Sequence, residues 1–173
     1  YGSPQNAITV WKDHMVSQGF GYKLGVDLPG EKRGLIPNAQ FYDKAYRGHW
    51  NGLTVISISI GQGEILSTPL QIANLGATIA NRGHFTTPHI VKEIQDAQLD
   101  SIYRHPRNTT IERRHYESVV EGMRAAATGG TCRMLSVMVP ELEACGKTGT
   151  AQNRGHDHSV FMGFAPMNQP KKI

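Results

Sequence analysis

The chain has 173 residues, of which 39% are hydrophobic and 18% charged. That is enough for one domain with a real core and fits neither a membrane-spanning nor a disordered chain. Its net charge of +4 is scattered, with no basic run interleaved with aromatics, which argues against nucleic acid as a partner.

Along the chain, Ile8, Trp11 and Met15 recur at helical steps and predict a helix over 5–18, stopped by Gly19. Residues 20–31 are too rich in glycine for a regular element. They match neither the phosphate-binding G-x-x-x-x-G-K-[ST] nor the dinucleotide G-x-G-x-x-G pattern, so a compact surface turn is expected. Residues 34–51 show no clean period and read as an irregular excursion whose Tyr42, Tyr46 and Trp50 cover the core. The β-branched alternation over 54–60 predicts a strand, ended by Gly61-Gln62-Gly63.

Thr68-Pro69-Leu70-Gln71 has the pattern of a capping box with proline at the first helical position. The helix it opens is expected to reach about residue 82. Ile72, Leu75, Ile79 and the small Ala73, Gly76, Ala77 and Ala80 should lie on its buried side, and Gly83 should end it. A surface hairpin is expected from 89–95 and 101–105. A second helix is expected over 112–127, with Tyr116, Val119, Val120 and Met123 inward. Gly129-Gly130-Thr131 breaks it, and a helical turn over 132–135 follows. A strand around Lys147, a polar loop over 153–158 and a strand over 160–166 complete the pattern as an antiparallel pair. No internal repeat, low-complexity tract or interdomain linker is visible.

The chemistry-bearing stretch is Lys147-Thr148-Gly149-Thr150. On a strand, Lys147 and Gly149 share one face and Thr148 and Thr150 the other. Gly149 leaves an open shelf beside the backbone. A carboxylate lying along such an edge can take hydrogen bonds from the two hydroxyls and long-range attraction from the ammonium. Alone, the tetrapeptide reads more readily as an ordinary exposed turn or edge strand. Metal binding is not expected: His156-Asp157-His158 offers two histidines in a loop, and neither H-E-x-x-H nor zinc-spaced cysteine pairs occur. Cys132 and Cys145 are expected as free thiols, the second buried and inert among small residues of a strand.

Four segments in order carry a resemblance. They are Phe20-Gly21 with Gly25-Val26-Asp27-Leu28-Pro29-Gly30-Glu31; Ser59-Ile60-Gly61-Gln62-Gly63-Glu64 with Thr68-Pro69-Leu70-Gln71; Lys147-Thr148-Gly149-Thr150-Ala151-Gln152; and Gly163-Phe164-Ala165-Pro166. K-T-G is a signature shared by serine β-lactamases and penicillin-binding proteins. Together the segments resemble a high-molecular-weight class B penicillin-binding protein, its elongation-type members more than its division-type ones, over nearly the whole chain.

The resemblance implies an α/β (α+β) fold, with an antiparallel sheet flanked by helices. It implies a D,D-transpeptidase that cross-links peptidoglycan stem peptides through a serine acyl-enzyme and is acylated by β-lactams, with no cofactor. It assigns Lys147 and Thr150 to catalysis, and Thr148, Gly149 and Thr150 to holding the substrate carboxylate. It also implies other cell-wall elongation proteins as partners and a place on the periplasmic face of the cytoplasmic membrane, held by an N-terminal anchor. The family's Ser-x-x-Lys and Ser-x-Asn (or Ser-x-Asp) motifs are missing, since no serine here has the required neighbours. With a start at Tyr1 and an end at Ile173, where a further strand is expected to begin, residues 1–173 read as the C-terminal portion of one transpeptidase domain. Two other readings stay open: a β-lactam sensor or β-lactamase of the same fold, and a non-catalytic interaction module. The Gly61-Gln62-Gly63 and Thr68-Pro69-Leu70-Gln71 pair argues against the smaller β-lactamases.

Overall fold

The computed structural model describes residues 2–152 and 155–171. The chain start at Tyr1, the first two residues of the expected polar loop and the last two residues lie outside the described residues. Helix α1, Pro4–Ser17, starts as its sequence dictates, with the Ser3 hydroxyl accepting the Asn6 N–H at 3.2 Å and proline at the first position. Gly19 follows with φ +99°, and a Cβ there would meet Asn74 Nδ2 at 2.6 Å, so only glycine fits.

The stretch 20–31 is the expected surface turn, and two carboxylates organise it. Glu31 accepts the N–H groups of Leu24, Gly25 and Val26 at 2.6, 3.0 and 3.3 Å. Asp27 accepts those of Ile90 and Val91. The excursion over 34–51 is not irregular throughout, because α2 spans Ala39–Tyr46 behind an Asn38 cap. Two turns are too short for a helical period to show in sequence. Its Tyr42 and Trp50 are buried, as expected, with ring centroids 5.2 Å apart, and Ile8 completes the cluster, whereas Tyr46, also expected to cover the core, is 41% exposed.

The expected strand over 54–60 is instead a 3-10 helix, Ile56–Ile60. Its N–H groups bond three residues back, as Ile56 to Leu53 and Ile58 to Val55. Among the described residues no strand lies alongside to complete a ladder. The three-residue repeat turns Val55 and Ile58 inward onto the aromatic cluster. Ile56 and Ile60 are left 60% and 76% exposed.

Helix α3, Pro69–Ala80, carries the full capping box. Gly76, Ile79 and Ala80 are buried as expected, whereas Ala73 is exposed and Ile72, Leu75 and Ala77 are half-buried. The unexpected feature is a buried polar stripe of Gln71, Asn74 and Thr78. Gln71 Nε2 donates to the carbonyls of Gly19, Tyr22 and Arg33 at 3.1–3.3 Å, tying the 20–33 turn to the helix.

The expected hairpin does not form. Ser101–Arg104 is one helical turn, α4, and 89–95 is irregular. The Ile90 and Val91 amides that a ladder would need are taken by Asp27, and the His89 and Tyr103 rings hold the two segments together at 4.9 Å. The antiparallel pair in this region is β1, His84–Phe85, with β2, Arg107–Asn108.

Helix α5, Arg113–Thr128, buries Tyr116, Val120, Met123 and Ala127 at helical steps. Val119 was expected inward but is 46% exposed, one residue off that stripe. The turn expected at 132–135 is the short helix α6, Met134–Met138.

Strands β3, Cys145–Ala151, and β4, His158–Phe164, pair antiparallel with Thr148 opposite Phe161. Strand β4 thus begins two residues before the expected 160 and ends at Phe164. Pro170 and Lys171 lie in no strand. Cys145 and Phe164 meet Ile79, Ala80, Tyr116, Val120 and Met123 in the core that joins the strand pair to α3 and α5. Cys132 and Cys145 are both buried free thiols, and burial pushes the Cys145 thiol up from its ordinary pKa. Together these elements make an α+β arrangement of antiparallel strands flanked by helices. Among the described residues, no helix is long and apolar enough to cross a membrane.

Candidate functional site

Strand β3 is held at its start by Arg124 of α5, whose Nη1 donates to the Ala144 carbonyl at 2.9 Å. The pleat then separates the side chains as the sequence predicts. Cys145 points into the core with α5. On the other face the Phe161 ring lies over the glycine pair Gly146 and Gly163, where an added Cβ would approach it to 2.6–2.7 Å. Thr148 shares that face and its Oγ1 donates to Thr131 Oγ1 at 2.9 Å. Thr131 sits on the loop between α5 and α6.

Lys147 is exposed and folds back so that Nζ donates to the Thr148 carbonyl. The Thr150 hydroxyl is exposed and has no partner among the described residues, while its carbonyl accepts Gln62 Nε2 at 3.4 Å. Gly149 is open: a Cβ there would meet only Val160, at 3.9 Å. No neighbour among the described residues therefore accounts for a glycine at this position.

The loop Gly61-Gln62-Gly63 faces this strand edge. Gly61 and Gly63 take φ +75° and +71°, which bends the loop back toward β3 and α3. Between loop and strand lies a groove of about 340 Å³, with Ile72 and Val160 among its lining. Behind the loop, Glu64 accepts the Tyr42 hydroxyl at 2.7 Å and the Tyr46 hydroxyl at 3.4 Å. Burial and the Glu64 carboxylate both push the Tyr42 phenol up. The loop is thus anchored to the aromatic cluster on one side and to Thr150 on the other.

Lys147, Thr148, Gly149 and Thr150 come together on one strand, as expected. Sequence reasoning missed Thr131, and it quoted Gln62 within a motif without giving it a role. The glycines flanking Gln62 were a signal for a turned loop. Thr131 carried no signal, because it lies 17 residues before its partner in an unrelated turn. Among the described residues no three His, Cys, Asp or Glu side chains gather as metal ligands, and no serine hydroxyl is hydrogen-bonded to a lysine amine. An ammonium and threonine hydroxyls along a rigid edge suit recognition of an anion such as a carboxylate. They do not themselves supply an activated nucleophile.

Comparison with known proteins identifies the family and fold. Residues 6–173 match the family model for the penicillin-binding protein transpeptidase domain. The peptidoglycan D,D-transpeptidase MrdA of Acinetobacter baumannii is 34% identical over 88% of this chain and 25% of its own length. The crystal structure of Pseudomonas aeruginosa PBP2 in complex with WCK 5153 superposes with a TM-score of 0.79 at 34% identity, covering 91% of this chain and 36% of that one. PBP2 from Helicobacter pylori, in its complex with MreC, gives a TM-score of 0.74 at 28% identity over 90% of this chain and 28% of that one. The chain thus spans about a quarter of the length of the curated relatives it matches.

Proposed function

The chain belongs to the penicillin-binding protein transpeptidase family, and from that premise we propose that residues 1–173 are the C-terminal portion of the catalytic domain of an elongation-type peptidoglycan D,D-transpeptidase. The observation that carries this reading is the groove in which the Gln62 loop meets Gly149 and Thr150 of the β3 edge, directly beside Lys147 and Thr148 in the strand. Two separately noted sequence motifs, the Gln62 loop and the K-T-G-T strand, converge there on one groove.

In the parent enzyme a serine outside this chain attacks the carbonyl carbon of the penultimate D-alanine of a stem peptide. The C–N bond breaks, and the terminal D-alanine leaves with the proton on its amine. An amine of a neighbouring stem peptide then attacks the ester, forming the cross-link and releasing the serine. The residues present here hold the donor. Lys147 gives positive potential to the terminal carboxylate. Thr148 and Thr150 donate hydroxyl hydrogen bonds to it, and such charge-assisted bonds are short and strong. The Thr150 N–H serves as one of two oxyanion donors, the other being the nucleophile's own N–H. Gly149 keeps the edge clear for the substrate backbone. A penicillin presents a carboxylate in a similar relation to its reactive carbonyl, so the same edge orients it.

By this reading the enzyme works on the periplasmic face of the cytoplasmic membrane, anchored by a segment upstream of these residues. Its likeness to the MreC-bound PBP2 supports other elongation proteins as partners. The test is fluorescent penicillin, followed by denaturing electrophoresis and intact mass. The full-length protein should carry a stoichiometric covalent label, and residues 1–173 alone should carry none. An unlabelled full-length protein would overturn the reading, and so would an adduct on any serine of this chain.

A further inference from the structure

Thr148 enters the proposed carboxylate site with its hydroxyl hydrogen already engaged, since Oγ1 donates to Thr131 Oγ1 at 2.9 Å. A threonine hydroxyl has one hydrogen and two lone pairs. To donate to a carboxylate, Thr148 must rotate that hydrogen away from Thr131. Thr131 can then reverse the bond and donate its own hydrogen to Thr148 Oγ1.

We propose that Thr131 is a positioning residue for carboxylate recognition, holding the Thr148 hydroxyl in place when no ligand lies along β3 and donating to it when it turns to the ligand. This rests on the reading of β3 as the carboxylate edge. Hydrogen bonds in a chain polarise one another, so a Thr148 hydroxyl that accepts from Thr131 is a better donor to the anion.

The loop carrying Thr131 is built to hold it still. Gly130 presses on Ala126, where a Cβ would come within 2.8 Å of the Ala126 Cα. The Cys132 N–H donates to the Ala126 carbonyl at 3.1 Å. The buried Cys132 side chain packs beside Gly146, its Sγ 3.4 Å from where a Cβ of that glycine would lie. Thr131 is therefore clamped on both sides, against α5 and against β3, while its own side chain is exposed. An exposed bond between two hydroxyls contributes little to folding, so its fixed geometry matters for what Thr148 does next.

The test measures second-order acylation of the full-length protein by benzylpenicillin and by its methyl ester, which lacks the carboxylate. Thr131→Val should slow benzylpenicillin about three- to tenfold, the size of one neutral hydrogen bond. It should leave the slow ester reaction and the thermal midpoint unchanged. Thr131→Ser should restore the rate, and in a Thr148→Val background the Thr131→Val change should have no further effect. An unchanged benzylpenicillin rate would overturn the proposal, as would equal slowing of the ester or failure of serine to restore. If Thr148→Val slows acylation and Thr131→Val does not, the carboxylate edge stands and the role of Thr131 falls. A wild-type protein that benzylpenicillin does not acylate would overturn both.

Discussion

At the start of α3, Gln71 engages every polar atom of its side chain inside the protein, whereas on β3 the Thr150 hydroxyl has no partner among the described residues. Gln71 is 2% exposed. Its Oε1 accepts the Thr68 N–H at 3.0 Å and its Nε2 reaches three carbonyls of the 19–33 segment. Thr148, on the same strand as Thr150, reaches one hydroxyl, and the Lys147 ammonium rests on the carbonyl of its own neighbour. Both regions are polar and both lie close to the packed core. The difference is hydrogen-bonding capacity: used up by Gln71 at the start of α3, where it fixes a turn, and left open by Thr150 on β3, where a ligand can take it. Buried polar groups that are fully satisfied specify structure, while unsatisfied ones on a rigid, exposed edge are available for binding.

Removing the α3 network should show the larger effect, and on stability. Gln71→Ala leaves carbonyls and the Thr68 N–H without their partner in a site closed to water. A loss of about 3 kcal/mol is expected from urea denaturation of the full-length protein, since each stranded buried group costs about 1–3 kcal/mol and neighbouring losses overlap. The penicillin acylation rate of the remaining folded protein should stay near wild type. A stable Gln71→Ala protein with slowed acylation would reverse the contrast between the two regions.

A smaller effect, visible only through pH, sharpens the structural side. The amides of Val91 and then Ile90 hold the Asp27 carboxyl below its ordinary value of 3.8. Folding therefore favours the ionised form. The stability this confers is present above the ordinary carboxyl pKa and is lost as pH falls through the lowered folded value. Asp27→Asn should lower the denaturation midpoint slightly near neutral pH, and the gap from wild type should close in strong acid. A gap that does not change with pH would mean the carboxylate charge has no part in the turn.

How much of this was legible in the sequence follows the same division. The β3 edge could be read directly because its information is local: four adjacent residues and an alternating strand fix which side chains share a face. The capping box of α3 was local too. The polar stripe of α3 was not, because Gln71 and Asn74 are buried by carbonyls 38–56 residues away, and in one dimension they look like a solvated face. Residues 56–60 misled for a related reason. Their β-branched alternation suits a strand, but a strand needs a neighbour, and a turn-rich excursion beside α2 offers none. The hairpin expected over 89–105 failed because Asp27, far upstream, claims its amides. Thr131 became visible only when the chain folded back onto β3.

The central claim, that β3 is a carboxylate-binding edge of an acylation site, is tested most directly by Thr148→Val in the full-length protein. A preorganised hydrogen bond to a charged group is worth about 1.5–3 kcal/mol. Acylation by penicillin should therefore slow by roughly ten- to hundredfold, if the bond is made in the transition state, with the denaturation midpoint unchanged. An unchanged acylation rate would contradict the claim for Thr148, leave that threonine a structural role, and shift the carboxylate to Thr150.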